Sequence, residues 1–244
     1  MPGLGTIVNV AAILVGGLIG LLGKGFLKER FQKILTVALA LSIVAMSLSG
    51  IVAKMLVVSE DGISTRGTYM LIFSLVLGGL FGELIDIDGK LERFGTFLKK
   101  KTGSAKDASF VDGFVSSSLT VCVGAMAVMG AIMDGIAHDY SILFTKSLLD
   151  LILVMIMASS KGKGCLFSAI PVAILQGTFT LLAAWIAPIL TPLSMDFLSL
   201  VGSVLILCIG VNLFGGEKFR IKVANLLPSI IFAVAAAYIP VLTA

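Results

Sequence analysis

The sequence predicts an all-α integral membrane bundle of about eight transmembrane helices. The chain has 244 residues, of which 58% are hydrophobic and 13% are charged, and its mean hydropathy is +1.10. A soluble domain usually carries about 25% charged residues, so a soluble fold of this length is excluded. Apolar stretches separated by short charged loops give the number of helices. We treat residues 1–244 as a single transmembrane domain.

Each predicted span is long enough to cross a hydrocarbon core of about 30 Å, although the fifth and seventh are short. The predicted spans are 5–23, 34–57, 68–85, 110–132, 142–158, 165–187, 197–214 and 222–241. The N-terminal stretch has no basic region and no A-x-A cleavage site. We therefore expect a retained first span rather than a signal peptide.

The loops between the predicted spans alternate in charge. Lysine and arginine cluster in the first, third, fifth and last loops, whereas the others are acidic or nearly free of basic residues. By the positive-inside rule the basic loops are cytoplasmic and both termini lie outside. A seven-span arrangement would break this alternation. The same clustering explains the net charge of +4, so no nucleic-acid partner is expected.

The third loop contains an amphipathic segment, 90–101. Leu91, Phe94, Phe97 and Leu98 would share one side of a helix. This pattern predicts a short helix lying on the inner membrane surface. Such a helix can act as a gate or lipid sensor, or it can be a connector that follows the membrane.

The predicted fourth span carries more small and hydroxyl-bearing residues than lipid contact requires. Residues four apart lie in one row along a helix. The row consists of Asp112, Ser116, Thr120 and Gly124. Asp134 follows the span, so acidic groups stand at both of its ends. The row either lines a polar path or seats a neighbouring helix.

Small residues at four-residue spacing predict close helix packing in several spans. Ala12, Gly16 and Gly20 in the first span are an example. Pro171 in the sixth span and Pro228 in the eighth predict breaks, because proline removes a backbone donor and clashes with the preceding turn.

Two pairs of spans resemble each other in sequence. Residues 8–17 align with 121–130, and residues 75–84 align with 173–182. Each pair is three spans apart, which reverses the orientation and is typical of the inverted-topology repeats of secondary transporters. Apolar helices also resemble one another by composition alone, and the first span matches the sixth almost as well. Both explanations stay open.

Lys146 and Asp150 are ionisable residues of the predicted fifth span, and charge inside a span is costly. They are four residues apart, so they share one helical face and can neutralise each other. In one interpretation the pair lets a buried helix cross the membrane at low cost. In the other, Asp150 is a titratable carboxylate whose partner is released when a cation or proton arrives.

Further polar residues complete the set that could line a path for a small solute or ion. Glu83, at the inner end of the third span, either attracts cations or pairs with lysines of the loop that follows it. Gln176 and Asn9 are amides within spans and should face protein or water. Together with Ser117 they either line the path or bond neighbouring helices to each other.

Signatures of soluble enzymes and of ATP-driven pumps are missing from the sequence, including the P-loop, GxSxG, HExxH and CxxC patterns. The three cysteines, Cys122, Cys165 and Cys208, are expected to be free thiols. The single histidine, His138, is expected to be solvated rather than a metal ligand. We therefore predict no catalytic residue, no metal and no cofactor, and no enzymatic activity.

Several stretches together resemble one family. They are the segment from Phe110 to Gly135, the Asp139–Tyr140 step, KSLLD at 146–150, FSAIPVAILQG at 167–177 and GTIVNVAAILVGGLIG from Gly5. Over essentially its whole length the chain is similar to the YqgA/YdfK-like family of bacterial membrane proteins, a family of unknown function. The family pattern often has Glu at position 112 and Tyr at position 175, where this chain has Asp and Leu. The resemblance implies a multi-pass protein of the bacterial cytoplasmic membrane and supplies no substrate.

Two functions are consistent with these observations. The first is passage of a small solute or ion across the membrane through a homo-oligomeric secondary transporter or channel, with its site in the fourth, fifth and sixth spans. The second is a non-transporting scaffold or sensor whose polar residues only hold helices together. A water-accessible path would distinguish the first from the second.

Overall fold

The structure, a computed structural model, is described for residues 2–24, 29–59, 62–123, 125–215 and 220–240. It is 84% helical. Within these ranges the strands form one short antiparallel hairpin, β1 (Leu56–Ser59) with β2 (Gly62–Thr65). The prediction of an all-α membrane bundle is confirmed.

The helices follow one another along the chain with short connections. They are α1 (Leu4–Lys24), α2 (Glu29–Met55), α3 (Thr68–Ile85), α4 (Ile87–Lys101), α5 (Phe110–Cys122), α6 (Ala125–Ala137), α7 (Ser141–Lys161), α8 (Ala169–Leu181), α9 (Ala183–Ile186), α10 (Pro192–Gly215) and α11 (Ser229–Ala236). Short 3-10 helices cover Lys163–Ser168, Ala187–Ile189 and Val223–Leu226.

Six helical stretches in the described ranges are long and apolar enough to cross a membrane. They are Leu4–Gly23, Thr36–Met55, Thr68–Ile85, Ser141–Lys161, Lys163–Leu181 and Pro192–Phe214. The bent pair α5 and α6 makes a seventh if it forms one span. Within the predicted eighth span lie a 3-10 helix and the short helix α11. The count of eight therefore stays a prediction.

Helix α3 has small residues on its buried face and large apolar residues on its exposed face. Its buried residues are mostly small and recur every four positions: Met70, Ser74, Gly78 and Gly82. Large apolar side chains point outward instead, and Leu84 is 83% exposed. Small residues inside and large apolar residues outside are expected where helices pack closely within a bilayer.

The described chain forms two compact units. The first unit comprises Met1–Leu39 and Gly89–Ala187, and the second comprises Ala40–Asp88 and Pro188–Ala244. Helices α1 and α5 to α9 belong to the first unit, and α3, α10 and α11 belong to the second. Helices α2 and α4 have residues in both.

In the first unit α1 and α7 run parallel and touch through their backbones. Gly5 contacts Leu143 near the start of α7. Further along, a Cβ at Gly16 would overlap the carbonyl oxygen of Leu151, and Gly20 makes the same kind of contact one turn later. The small residues predicted to pack closely are therefore required by the distance between these two helices.

The predicted fourth span is broken at Val123. This residue is extended, with φ −80° and ψ 131°, and α6 continues at 59° to α5. The expectation of one continuous helix is wrong, because Val123 leaves the helical conformation without a proline to signal it. Gly124, the last member of the predicted row, lies outside the described residues.

The two halves of the broken span together run antiparallel along α7. At one end Asp112 of α5 pairs with Lys161, the last residue of α7. At the other end Gly130 of α6 contacts Leu143 near the start of α7. Between these two contacts, next to the break, the carbonyl of Val121 meets Lys146 in the first third of α7.

Helix α8 runs antiparallel to α1 in the same unit. Gly17 of α1 contacts Leu166, in the 3-10 helix that precedes α8. Towards the other end of α8, the hydroxyls of Thr6 and Thr180 are 3.5 Å apart. These two contacts fix which residues of α1 and α8 lie at the same height.

Both prolines that predict breaks lie close to a change of helix type. Pro171 is the third residue of α8 and follows the 3-10 helix Lys163–Ser168. Pro228 lies between the 3-10 helix Val223–Leu226 and α11. A proline this early in a helix loses no intrahelical bond, since the first backbone donors of a helix have no partner anyway. The inverted repeat itself stays a prediction.

The second unit is held by close contacts and by a charged cluster. A Cβ at Gly82 of α3 would overlap the carbonyl oxygen of Asn225. Lys54 and Arg66 both pair with Asp196 of α10, at 2.6 and 2.5 Å.

Helix α4 contains the predicted amphipathic segment. Part of its apolar side packs on α5, since the rings of Phe94 and Phe114 are 5.8 Å apart and Leu98 is buried. Phe97 is 52% exposed. The apolar side is therefore shared between protein and surroundings, and its position on the inner membrane surface stays a prediction.

Candidate functional site

The candidate site is centred on a buried ion pair within α7. Lys146 Nζ donates to the two carboxylate oxygens of Asp150 at 2.8 and 2.6 Å. The two side chains are 8% and 4% exposed. Their four-residue spacing places them one turn apart on the same face, so the structure shows the pair that the sequence predicts.

Two other helices contribute to this pair. Lys146 Nζ also donates to the carbonyl oxygen of Val121 at 2.8 Å, in the last turn of α5. Carbonyls in a last turn lack helical partners and carry partial negative charge, so an ammonium group is stabilised there. Asn9 of α1 donates its side-chain N–H to Asp150 at 3.0 Å. The pair therefore joins α1, α5 and α7.

Gln176 of α8 is fully buried, and neither atom of its amide group has a hydrogen-bond partner in the described part of the chain. The oxygen of the Asn9 side chain, also fully buried, is unpartnered there too. A buried polar atom without a partner costs about 1–3 kcal/mol. Packing in the described part of the chain therefore leaves polar atoms of both side chains unsatisfied.

Asp134 of α6 lies at the N-terminus of α1. It accepts hydrogen bonds from the backbone N–H groups of Gly3, Gly5 and Thr6, at 2.9, 3.0 and 3.4 Å. These donors have no partner within the helix, and the N-terminal end of a helix stabilises negative charge. The fully buried carboxylate thus has its charge satisfied by backbone alone.

The loop after α6 contains His138 and Asp139, both exposed. Hydrogen bonds from the side chain and the backbone of Ser141, the latter at 2.9 Å, lower the pKa of the Asp139 carboxyl. His138 Nδ1 lies 3.3 Å from the carbonyl oxygen of Asp134. The exposure of His138 agrees with the expectation of a solvated side chain.

The predicted row on α5 is present as far as Thr120. Ser116 donates to Asp112 at 3.2 Å, and Thr120 donates to the carbonyl oxygen of Ser116 at 2.8 Å. Asp112 also pairs with Lys161 at 2.7 Å, with its side chain 58% exposed. These groups are satisfied by one another and by Lys161, and Asp112 and Ser116 lie at the end of α7 away from Asp134.

Ser117 faces the 3-10 helix rather than the ion pair. Its hydroxyl donates to Ser168 at 3.1 Å, and Ser168 donates to the carbonyl oxygen of Cys165 at 2.7 Å. A neighbouring close contact, between Gly164 and the carbonyl oxygen of Phe110, packs the same two elements. Ser117 therefore bonds two helices together.

Glu83 belongs to the second unit and is not part of this cluster. It pairs with Lys222 at 2.7 Å and accepts from the Asn225 amide at 2.6 Å. It therefore pairs with a lysine, as one of the two alternatives has it, but this lysine does not belong to the loop directly after Glu83. The contact between α3 and the 3-10 helix Val223–Leu226 brings Lys222 to the carboxylate instead.

Sequence reasoning missed the backbone members of the site. The carbonyl oxygen of Val121 carries no signal in the sequence, because any residue has one. Thr6 and Thr180, the hydroxyl pair between α1 and α8, look like ordinary packing residues. Asp88, in the second unit, is buried and pairs with Arg220 at 3.1 Å, which no spacing in the sequence indicates.

A family model described as "Protein of unknown function (DUF554)" matches residues 4–238. The chain belongs to this family. It is 29% identical over 227 residues to the "Uncharacterized membrane protein YdfK" of Bacillus subtilis (strain 168), covering 93% of the chain and 92% of the relative. It is 30% identical over 234 residues to the "Uncharacterized protein YqgA" of Escherichia coli (strain K12), covering 94% of each. No solved structure matches it. The resemblance predicted from the sequence is confirmed.

The side chains of the central cluster of this DUF554 protein are suited to binding ions and polar solutes. In the ranges that the structure describes, no three His, Cys, Asp or Glu side chains are grouped so that they could hold a metal ion. The cluster does contain a carboxylate, an ammonium group, the amide side chain of Asn9 and the carbonyl at the end of α5. Such groups can bind and release small ions or hydrogen-bonding solutes.

Proposed function

We propose that this DUF554 protein moves a small solute or ion across the bacterial cytoplasmic membrane, as a secondary transporter or channel. The observation that carries the proposal is the buried Lys146–Asp150 pair at the end of a half-helix. A buried ion pair is often no more stabilising than apolar residues of similar volume. Packing alone therefore gives little reason for charges at this depth.

The broken span supports the same proposal. Non-helical backbone at membrane depth needs a partner in the protein or a wet cavity. In many secondary transporters, interrupted helices place free carbonyls and helix ends at a binding site near the middle of the membrane. Here the helix breaks at Val123, and the carbonyl oxygen of Val121 accepts a hydrogen bond from Lys146 instead of from a following turn.

The acidic groups at the two ends of the broken span fit this scheme. Asp112 lies at one end and Asp134 at the other, with the ion pair between them. The exposed carboxylate of Asp112 would attract cations to its end. Glu83 would attract cations to the second unit in the same way. We also propose that the protein works as a homo-oligomer.

The proposal can be tested with purified protein in liposomes. Gradients of protons, sodium, potassium and small neutral solutes are applied across the membrane, and flux is followed with a pH dye, with isotopes or by vesicle swelling. We expect flux above that of protein-free liposomes, and at least a tenfold loss in Asp150→Asn and in Gln176→Ala. Asp196→Asn, which removes a charged pairing of the second unit, serves as the matched control.

Two results would contradict the proposal. One is a flux no higher than that of empty liposomes for every gradient applied. The other is unchanged flux in both Asp150→Asn and Gln176→Ala when the Asp196→Asn control is also unchanged.

A second function, a non-transporting scaffold or sensor, is favoured by a different observation. Several polar groups are satisfied entirely by neighbouring helices, as Ser117 is by Ser168 and Asp134 by the backbone of α1. This function predicts no water along the broken span. A cysteine introduced at position 116 or 120, with the native cysteines replaced, should then resist water-soluble thiol reagents. Labelling at the buried position 120 would contradict it.

A further inference from the structure

Helix α4 has an exposed face opposite the face that packs on α5. On the packed face a Cβ at Gly95 would meet Phe114, and Leu98 is buried. Successive residues of an α-helix are about 100° apart around its axis. Phe97, two residues after Gly95, therefore lies on the opposite side of α4, and it is 52% exposed. We call the surface around Phe97 the outer face of α4.

Phe97 is stacked on a second aromatic ring. The ring centroids of Phe94 and Phe97 are 6.4 Å apart, and their planes are inclined by 20°. Phe94 in turn lies 5.8 Å from the ring of Phe114 on α5. Both rings of the pair are thus positioned by packing within the first unit, although both are exposed. Exposed apolar groups that are rimmed by polar residues mark sites of contact with a membrane or with another protein.

The charged residues of the outer face are basic. Lys90 is seven residues before Phe97 and Lys101 is four residues after it, so both lysines lie in the same row along the helix. Both are exposed. The carboxylates of α4 lie elsewhere, because Asp88 is buried and Glu92 is about 140° from Phe97 around the helix axis. The outer face therefore attracts anions.

The chain keeps α4 close to the end of an apolar helix. Helix α3 is long and apolar enough to cross a membrane, and it ends at Ile85. Helix α4 begins at Ile87, after Asp86 alone, whose left-handed conformation (φ 55°) turns the chain. One residue extends the chain by at most about 3.5 Å. The start of α4 therefore lies where α3 would leave the bilayer.

Aromatic rings beside lysines match an anionic lipid surface. A lysine can lay its methylene stem along apolar groups while its ammonium group stays among the lipid headgroups. Anionic lipids of the cytoplasmic leaflet attract basic segments that lie close to the membrane, and the positive-inside rule assigns the lysine-rich α4 to that side. A small soluble anion would satisfy the lysines but would leave the stacked rings in water.

We propose that the outer face of α4 binds anionic lipid headgroups of the cytoplasmic leaflet. The rings of Phe94 and Phe97 enter the boundary between headgroups and acyl chains, as the apolar residues of interfacial helices do. The ammonium groups of Lys90 and Lys101 contact the lipid phosphates on either side of the rings. This binding is independent of the proposed transport of a solute or ion, so it can be measured in a protein that transports nothing.

The test measures lipid binding to the purified full chain in detergent. Thermal unfolding is followed while a short-chain phosphatidylglycerol is added, with phosphatidylcholine of the same chain length and inorganic phosphate in parallel. A ligand that binds only the folded state raises the unfolding temperature. We expect phosphatidylglycerol alone to do so, and less strongly when salt is raised from about 0.05 M to about 0.5 M, because salt screens exposed charges.

Variants of the outer face separate charge from apolar contact. Lys90→Gln/Lys101→Gln removes both flanking charges and should raise the phosphatidylglycerol Kd about tenfold or more. Phe97→Ser keeps the charge and should raise this Kd about threefold or more. Lys106→Gln/Lys163→Gln, the matched control, removes two charges at exposed positions outside α4 and should bind as the native chain does. All the replaced side chains are exposed, so unfolding without added lipid should not change.

Insertion of the rings gives a second measurement. The chain has one tryptophan, Trp185, so Phe97→Trp in a Trp185→Phe chain places a single fluorescent ring on the outer face. Lipids brominated on their acyl chains quench tryptophan on contact. In liposomes that contain both lipids in equal amounts, we expect brominated phosphatidylglycerol to quench more strongly than brominated phosphatidylcholine.

Three results would overturn the lipid site. The first is equal stabilisation by phosphatidylglycerol and phosphatidylcholine. The second is a Kd in Lys90→Gln/Lys101→Gln equal to that of the Lys106→Gln/Lys163→Gln control. The third is stabilisation by inorganic phosphate equal to that by phosphatidylglycerol, which would assign the lysines to a soluble anion. Selective stabilisation by phosphatidylglycerol that is lost in the α4 variants, together with selective quenching, supports it.

Discussion

Lys146 is surrounded by oxygen atoms from two different helices. The two oxygens of Asp150 and the carbonyl of Val121 all lie within 2.8 Å of its nitrogen. Removing one partner of such a pair leaves the other charge buried and unpaired, which costs about 3–5 kcal/mol. Removing both charges together avoids this cost.

We therefore predict that Lys146→Met lowers the free energy of unfolding by about 3–5 kcal/mol. The double variant Lys146→Met/Asp150→Leu should recover most of that loss. Thermal or denaturant unfolding in detergent measures both. Lys161→Met, which breaks the more exposed pair with Asp112, is the control and should cost less than about 1 kcal/mol. A double variant as unstable as the single one would contradict the prediction.

Asp134 is bonded to backbone, so its role differs from that of Asp150. Asp134→Ala leaves the N–H groups of Gly5 and Thr6 buried without a partner. Each unpaired group costs about 1–3 kcal/mol, and we predict a loss of at least about 2 kcal/mol in unfolding free energy. Asp112→Ala, at the exposed end of the same broken span, should change stability far less. Equal effects in both variants would show that the hydrogen bonds to α1 do not stabilise the fold.

At the residue scale the sequence predicts contacts that lie within one helix. The Lys146–Asp150 pair follows from a four-residue spacing, as does the row from Asp112 to Thr120. Contacts between helices could not be predicted, because the partners are far apart in sequence. The bond between Asn9 and Asp150 joins residues 141 positions apart, and the partners of Asp134 are backbone groups that any sequence would supply.

The bounds of a helix can be predicted where charged residues end an apolar stretch. The spans 5–23 and 68–85 agree with α1 and α3 to within about two residues. The break at Val123 could not be predicted, since the stretch around it contains no proline and the adjacent Gly124 is one of 27 glycines in the chain. The prolines at 171 and 228 were more informative, because 3-10 helices lie just before them.

The contact between α1 and α7 gives a prediction for a single added methyl group. Gly16→Ala places a Cβ against the backbone carbonyl of Leu151, and backbone cannot rotate away as a side chain can. We predict a loss of about 1–3 kcal/mol in unfolding free energy from overpacking.

Gly23→Ala on the same helix is the matched control. A Cβ at Gly23 meets nothing within 4 Å, and alanine favours helix over glycine by about 1 kcal/mol. This variant should be as stable as the native chain or slightly more so. If Gly16→Ala matched it, the two backbones would not be in contact in the membrane.

For the whole molecule, helix direction constrains how the chain crosses the membrane. If α2 and α3 each cross once, they return the chain to the side on which α1 ended. Helix α7 runs parallel to α1, so it must start on the side where α1 started. The broken pair α5 and α6 must then carry the chain across, instead of turning back as a re-entrant loop.

This argument predicts that the loops before α5 and after α6 face opposite sides. Cysteines placed at the exposed positions Lys106 and His138, in a chain without its native cysteines, can be labelled in intact cells with a reagent that does not cross membranes. We expect label at position 138 alone, because the positive-inside rule places the lysine-rich loop in the cytoplasm. Identical labelling of both positions before and after permeabilisation would show that the pair is re-entrant.

The backbone contact between α1 and α7 also determines which half of the candidate site can be mobile. Closely packed elements without intervening side chains have little freedom to slide or rotate against each other. Asn9 and Asp150 lie one on each of these helices, so we expect the distance between them to stay constant. Val121 and Gln176 lie instead on two interrupted elements that pack around this rigid pair. Under the transport proposal, the carboxylate of Asp150 and the amide of Asn9 would therefore stay fixed relative to each other while the half-helices move.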